Sequence, residues 1–161
     1  MKGPIKKILE DLIASEKCLQ SADHLLYVSY PALEDTRLLL RSLESIYQGA
    51  IGTMSALLKL EHIYYGTRLS TKSKENLETF FTVCASRYAL TEKDCTLLKK
   101  IFYFSKQHKL SPFEFPRKGK IVILDETGDA FEVTPALLAS FLEVSKKLLL
   151  NTNKSVSLRK V

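Results

Sequence analysis

Residues 35–66, DTRLLLRSLESIYQGAIGTMSALLKLEHIYYG, are the stretch on which the predicted fold is built. The segment from Ala32 or Asp35 to Tyr65 predicts one helix of about 30 residues, roughly 45 Å long at 1.5 Å per residue. Asp35 near its start complements the helix dipole, and Gly66 is suited to end it. Apolar residues cover most of its circumference, so we expect this helix to be the buried centre of the fold.

Small residues form a stripe along this predicted helix, at alternating steps of three and four: Ser42, Ser45, Gly49, Gly52 and Ala56. A glycine inside a helix costs about 1 kcal/mol relative to alanine, so we expect the close approach of another backbone to offset that cost. The approaching helix is either the first helix of the same chain or the same helix of a second copy in a twofold dimer. We predict the closest helix contact at Ser45, Gly49, Gly52 and Ala56, and we expect a homodimer.

Four other segments have the apolar period of a helix. The first helix is predicted to end at Tyr30-Pro31, because a residue before proline avoids the α region. A capping box of Thr91 and Asp94 begins the fourth helix, and Ser111-Pro112 ends it. The predicted helices besides the central one run from Pro4 to about Val28, over 73–88, over 91–109, and from Pro135 to about Leu150.

The apolar period changes after the fourth helix. Residues 120–133 contain KIVIL, DETGD and AFEVT, which predict a β-hairpin around Gly128, and the segment from Phe113 to Arg117 is expected to be extended. The predicted fold class is therefore mainly α, a bundle of about five helices with one long central helix and a small hairpin before the last. Length predicts one domain over 1–150, followed at 151–161 by a mobile basic tail with Lys154, Arg159 and Lys160.

The positive charge of the chain is concentrated in one segment. Residues 99–120 carry seven basic residues and one acid, Glu114, so this segment holds the whole formal net charge of +6. Clustered cations favour a polyanion such as RNA or DNA, although a solvated charged surface gives the same pattern. Aromatic residues 102–104, 113 and 115 are interleaved with the charges, and we expect most of them in the core. The predicted nucleic-acid-binding residues are Lys99, Lys100, Lys106, Lys109, Arg117, Lys118 and Lys120.

Other patterns argue against several classes of protein. The N-terminus lacks the apolar core of a secretory signal, and the longest strongly apolar stretch is too short to span a bilayer, so we expect a cytoplasmic protein without a membrane partner. The cysteines, Cys18, Cys84 and Cys95, are expected to be free packing residues. Because the histidines His24, His62 and His108 lie far apart in the chain, we predict neither a metal site nor a cofactor. We find no motif for nucleophilic or paired-carboxylate catalysis.

The order of the predicted helices resembles that of the HEPN superfamily of small, usually dimeric helical bundles. Two long N-terminal helices, the second with a small-residue centre, are followed by shorter helices and a final helix. The stretches 24–61 and 108–123 are also similar to small archaeal proteins. Active HEPN ribonucleases carry an arginine and a following histidine with four to six residues between them. Here the corresponding positions before the three histidines, 17–19, 55–57 and 101–103, hold no arginine. The hairpin is a further departure from the plain bundle.

The sequence therefore predicts a non-catalytic, dimeric helical module that interacts with nucleic acid through residues 99–120. A protein partner is a second interpretation of the same charge pattern. The competing enzyme hypothesis is a HEPN-type ribonuclease or a nucleotide-transfer accessory protein, in which the lysine-rich turn and His108 would hold a phosphate. The missing motif argues against that enzyme.

Overall fold

The structure, a computed structural model, describes residues 2–111 and 113–159 and confirms the predicted fold class. Helix α3, Arg37–Tyr65, lies at the centre of a mainly helical bundle and packs chiefly against α1, Lys2–His24, and α6, Pro135–Arg159. Its buried leucines and isoleucines, among them Leu39, Ile46 and Leu57, point in several directions. At its end, Gly66 adopts a φ of 67° and donates its backbone N–H to the carbonyl of His62 at 3.1 Å. This left-handed conformation ends the helix, as predicted.

The first helix does not break at Tyr30-Pro31, and that prediction is wrong. A π-type turn over Leu25–Ser29 follows α1, and α2, Tyr30–Leu33, continues the helical path, with Tyr30 itself in the α region. A π turn widens the helix locally, which leaves room for a proline ring that would clash in a regular α-helix. The chain finally turns at Glu34, whose φ is 52°.

The third predicted helix is present, but its geometry changes along its length. It begins as α4, Ser73–Thr79, passes through a π-type turn over Phe80–Cys84, and ends as a 3₁₀ turn over Ala85–Tyr88. Phe80 and Cys84 are fully buried, so the π turn brings both side chains onto the core. Ala89, with a φ of 57°, ends the segment.

Helix α5, Glu92–Leu110, begins with the predicted capping box. The backbone N–H of Asp94 donates to the Thr91 hydroxyl at 3.1 Å, and the N–H of Thr91 donates to the Asp94 carboxylate at 3.0 Å. The helix ends before Ser111, which is extended. Pro112, to which the sequence assigned part of this stop, lies outside the described residues.

Three antiparallel strands, one more than predicted, separate α5 from α6. The strands are β1, Phe113–Arg117, β2, Lys120–Leu124, and β3, Ala130–Val133, in that spatial order. The extended segment before the predicted hairpin is β1, and it pairs with β2 across a two-residue turn. Both turn residues, Lys118 and Gly119, have positive φ (48° and 77°), as a type I′ turn requires.

Helix α6 extends beyond its predicted end near Leu150 and continues to Arg159. Residues 151–159, for which a mobile tail was predicted, are thus part of this helix, and Thr152 and Val156 continue its buried face. Residues 160 and 161, with Lys160, lie outside the described part of the chain.

A buried carboxylate joins the end of α3 to the 3₁₀ turn over Ala85–Tyr88. Glu61 is fully buried and accepts hydrogen bonds from the hydroxyl of Tyr88, at 2.9 Å, and from the guanidinium of Arg87. Arg87 lies over the ring of Tyr65 at 4.2 Å, and Arg159 lies 4.8 Å from the same ring. Burial and the Glu61 charge raise the pKa of the neighbouring Cys84 thiol to about 11. These contacts give Glu61 and Cys84 structural roles in this end of the bundle.

Two residues of the small-residue stripe, Gly49 and Gly52, pack against α1 of the same chain. A Cβ atom placed on Gly49 would lie 2.5 Å from Leu19 Cδ2 and 3.2 Å from the carbonyl oxygen of Ser15, and one on Gly52 would meet the Ser15 hydroxyl. Ala56 is fully buried, and Ser45 is half-buried. Of the two alternatives, α1 of the same chain and α3 of a second copy, the glycines thus contact α1. The homodimer stays a prediction, and these glycines do not form its interface.

This contact predicts that Gly49→Leu destabilises the protein. Overpacking costs about 1 to 3 kcal/mol, which exceeds the gain of at most about 1 kcal/mol from replacing a helical glycine. Gly3→Ala in α1 is the matched control, because a Cβ there meets no atom within 4 Å. Thermal unfolding is expected to show a lower Tm for Gly49→Leu and an unchanged or higher Tm for Gly3→Ala.

Equal melting temperatures for wild type and Gly49→Leu would contradict the close contact. Because the contact lies within one chain, sizing chromatography is expected to give both proteins the same oligomeric state. A wild-type dimer that Gly49→Leu converts to a monomer would instead place the stripe between subunits.

Candidate nucleic-acid interface

The small sheet has one face toward the helices and one toward solvent. Residues directly opposite each other in an antiparallel pair share a face, so the pairings Ile121–Val133 and Ile123–Phe131 define the inner one. Ile121, Ile123 and Val133 are buried there in the hydrophobic core. The opposite face, called the outer face below, consists of Phe113, Phe115, Arg117, Lys120, Val122, Leu124, Ala130 and Glu132.

Two phenylalanine rings are exposed on this outer face. Tyr103 of α5 is also 44% exposed, so three of the five aromatics of the segment are exposed, contrary to the expectation that most lie in the core. Phe113 is 67% exposed and Phe115 is 40% exposed. Val122 in the central strand is nonetheless buried, because its cross-strand neighbours on that face, Phe115 and Glu132, are large. The outer face therefore presents flat aromatic surface to solvent, which is the surface on which nucleic-acid bases stack.

Basic residues gather at the tip of the β1–β2 hairpin. Arg117 and Lys120 form its last cross-strand pair, and Lys118 occupies the turn between them. Lys120 donates to the carboxylate of Glu132 at 2.7 Å, whereas Arg117 and Lys118 are exposed. The hydroxyl of Tyr30 donates to the carbonyl of Gly119 at 3.2 Å and so connects the tip to α2. Three of the seven predicted binding residues thus lie together beside the exposed rings.

The four predicted lysines of α5 do not join this cluster. The Lys99 ammonium lies 4.9 Å from the centre of the Phe81 ring, and that of Lys109 lies 5.0 Å from the Tyr47 ring. Lys106 borders a cavity of about 260 Å³ together with acidic residues of the β2–β3 turn. Lys100 is exposed. These four lysines thus have different surroundings on α5, whereas the three basic residues of the hairpin form one cluster.

The two ends of the sheet carry opposite charge. The tip holds Arg117, Lys118 and Lys120, whereas the β2–β3 turn at the other end of β2 holds Asp125, Glu126 and Asp129. At about 3.3 Å per residue the two ends are roughly 16 Å apart. Hydrogen bonds from Thr127 hold the pKa of Asp125 below its usual range, so its carboxylate is ionised at neutral pH. An anionic ligand is therefore attracted to the tip and repelled from the opposite end.

Glu114, the one acid within the basic segment, lies on the inner face of the sheet. Its carboxylate contacts the Nδ1 atom of His108 in α5 at 2.5 Å, and Nε2 of the same ring contacts Glu44 of α3 at 2.9 Å. The charge of Glu114 is thus held away from the exposed rings and beside an imidazole. Sequence reasoning missed this arrangement, because Glu44 is 64 residues from His108 along the chain.

The edge of β1 is poorly suited to pairing with another strand. Arg117 and Lys120 close a two-residue turn, so they form a hydrogen-bonded pair, and the neighbouring residue Pro116 directs its backbone nitrogen away from β2. Proline has no N–H, so this edge lacks a donor that strand addition requires. The side-chain surface of β1 is therefore better suited to binding than its edge.

None of the helices in residues 2–111 and 113–159 combines the length and apolarity needed to cross a lipid bilayer. The same part of the chain brings no three His, Cys, Asp or Glu side chains together in a group that could hold a metal ion. Comparison with protein-family models and with curated proteins gives no match for this sequence. The chemistry of the exposed sheet is thus the basis for assigning a function.

Proposed function

We propose that the protein is a non-catalytic module that binds short segments of single-stranded RNA or DNA on the outer face of its sheet. The observation that carries this proposal is the exposure of Phe113 and Phe115 beside Arg117 and Lys118. Binding without sequence preference commonly combines base stacking on aromatic rings with cations that contact the phosphates. The hairpin supplies both groups on one face.

The charge distribution favours a short ligand. Phosphates would lie near the tip, where Arg117 and Lys118 are exposed, and bases would stack along β1 on Phe115 and then Phe113. Beyond these residues a longer polyanion approaches the acidic β2–β3 turn, which opposes further contact. Few phosphate contacts and two stacking rings are consistent with micromolar or weaker affinity at low salt.

The hairpin cations are expected to determine the salt dependence of binding. Each lost phosphate contact lowers the slope of log affinity against log salt by about 0.7 to 0.9, so Arg117→Ala with Lys118→Ala should reduce it by about one to two. Lys99→Ala with Lys100→Ala is the matched control, since it removes the same charge from α5. Fluorescence anisotropy with labelled single-stranded RNA and DNA at several salt concentrations measures both slopes.

Equal slope changes in the two double variants would show that net charge, and not the hairpin, governs binding. No binding of either oligonucleotide at about 50 mM salt would overturn the proposal and leave a protein partner as the better interpretation of this surface.

The phenylalanines are expected to contribute through stacking. Stacking of one base on an aromatic side chain is worth about 1 to 3 kcal/mol, so Phe113→Ala or Phe115→Ala should weaken binding roughly 5- to 150-fold with an unchanged salt slope. Leu158→Ala is a suitable control, because Leu158 is 81% exposed on α6, away from the sheet. The same anisotropy titration measures all three variants, and unchanged affinity in both phenylalanine variants would rule out stacking on this face.

The HEPN-type ribonuclease hypothesis predicts a different outcome. In the structure both ring nitrogens of His108 contact carboxylates, which supports a positioning role for this histidine. We therefore expect no cleavage when the purified protein is incubated with mixed RNA and analysed by gel electrophoresis. Metal-independent cleavage that His108→Ala abolishes would contradict the non-catalytic proposal.

A further inference from the structure

His108 connects the three elements that meet behind the sheet. From α5, its Nδ1 atom lies 2.5 Å from the Glu114 carboxylate on β1, and its Nε2 atom lies 2.9 Å from the Glu44 carboxylate on α3. The imidazole side chain is 17% exposed, that of Glu114 is 23% exposed, and that of Glu44 is 58% exposed. One ring of α5 thus contacts both the first strand of the hairpin and α3.

The charged groups around this ring are few. Helix α3 contributes Glu44, and β1 contributes Glu114. The neighbouring cation on α5, Lys109, has its ammonium over the Tyr47 ring at 5.0 Å. Strand β2 presents the apolar side chains of Ile121 and Ile123 on the same inner face. The two carboxylates are therefore the charges that a proton on His108 would compensate.

The number of protons on the ring decides how many carboxylates it can hold. A protonated imidazole donates from both nitrogens, so it can hold Glu44 and Glu114 together. A neutral imidazole carries one proton and donates to one carboxylate only. Its other nitrogen then directs a lone pair at the second carboxylate, and no cation lies between the two negative charges. When His108 loses a proton, the ring thus gives up one of its two carboxylate contacts, either to Glu114 on the hairpin or to Glu44 on α3.

We propose that His108 is a proton-controlled clamp that fixes the β1–β2 hairpin to α3 and α5 and thereby regulates nucleic-acid binding on the outer face. The regulatory part rests on the proposed function, whereas the clamp itself is a property of the fold. With the proton present, the hairpin is held and the charge of Glu114 is neutralised behind the rings. With the proton absent, Glu114 weakens the positive potential of the hairpin and the strand is less firmly positioned.

The direction of the pH effect follows from the surroundings of the ring. Burial lowers the pKa of His108, but the hydrogen bonds and charges of Glu114 and Glu44 outweigh burial and raise it above its usual value of about 6.5. A pKa that is raised in the folded state gives stability that is complete below the unfolded value and is lost as pH rises through the folded value. Both hairpin attachment and affinity are therefore expected to fall from about pH 6.5 upward.

The clamp is tested first without nucleic acid, by thermal unfolding between about pH 6 and pH 9. Wild type is expected to lose more stability across this range than His108→Gln. Glu44→Gln is a milder variant, since Glu44 is largely exposed, and it should also flatten the profile. His24→Gln is the matched control, because His24 is exposed at the end of α1, and it should follow the wild type. Identical profiles for wild type and His108→Gln would overturn the clamp.

Regulation is then tested by anisotropy with labelled single-stranded RNA over the same pH range. We expect the affinity of the wild type to fall about fivefold more than that of His108→Gln, a typical size for coupling between two sites. An equal fall in both proteins, together with the expected unfolding profiles, would overturn the regulation but not the clamp. Absence of binding at every pH would overturn the proposed function, and the unfolding profiles would still decide the clamp.

Discussion

The close packing of α1 on the glycine-bearing side of α3 determines where the other elements of the bundle can lie. Because Gly49 and Gly52 have no side chains, Ser15 and Leu19 of α1 reach the backbone of α3. With that side occupied, the remaining apolar sides of α3 are covered by α6, by α5 and by the inner face of the sheet. The sheet can cover the core with one face only, so its other face is left to solvent.

This division of faces also separates the charges of the basic segment. Packing requires the inner face to be apolar, and the one inward carboxylate, Glu114, is compensated by His108. The cations of the hairpin tip, in contrast, lie at the end of the strands, where water solvates them and an anionic ligand can reach them. The sheet covers the helical core with its inner face. Its outer face and the cations of the hairpin tip are therefore exposed to solvent.

Much of the fold could be predicted because helices and strands leave local periodic signals. The helical period, the Thr91 capping box and the role of Gly66 all depend on residues close in the chain. The continuation through Tyr30-Pro31 could not be predicted, because a π turn has no apolar period of its own. The long α6 could have been found, since Leu148, Thr152 and Val156 keep the helical spacing beyond Leu150.

The candidate site was predictable only in part. Charge counting identified Arg117, Lys118 and Lys120, because sequence records charge directly. It could not separate them from Lys99 and Lys109, which contact Phe81 and Tyr47. Composition favours aromatic rings in the core, so the exposure of Phe113 and Phe115 became visible only with the register of the sheet.

A single-stranded nucleic acid bound on the outer face of the sheet should perturb the strands that form this face. Titration of the ¹⁵N-labelled protein with an unlabelled single-stranded oligonucleotide, followed by amide NMR spectra, tests this location most directly. We expect the largest shift changes in β1, in the Lys118–Gly119 turn and in β2. Changes concentrated in α5 around Lys99 and Lys106, with β1 unaffected, would contradict this location.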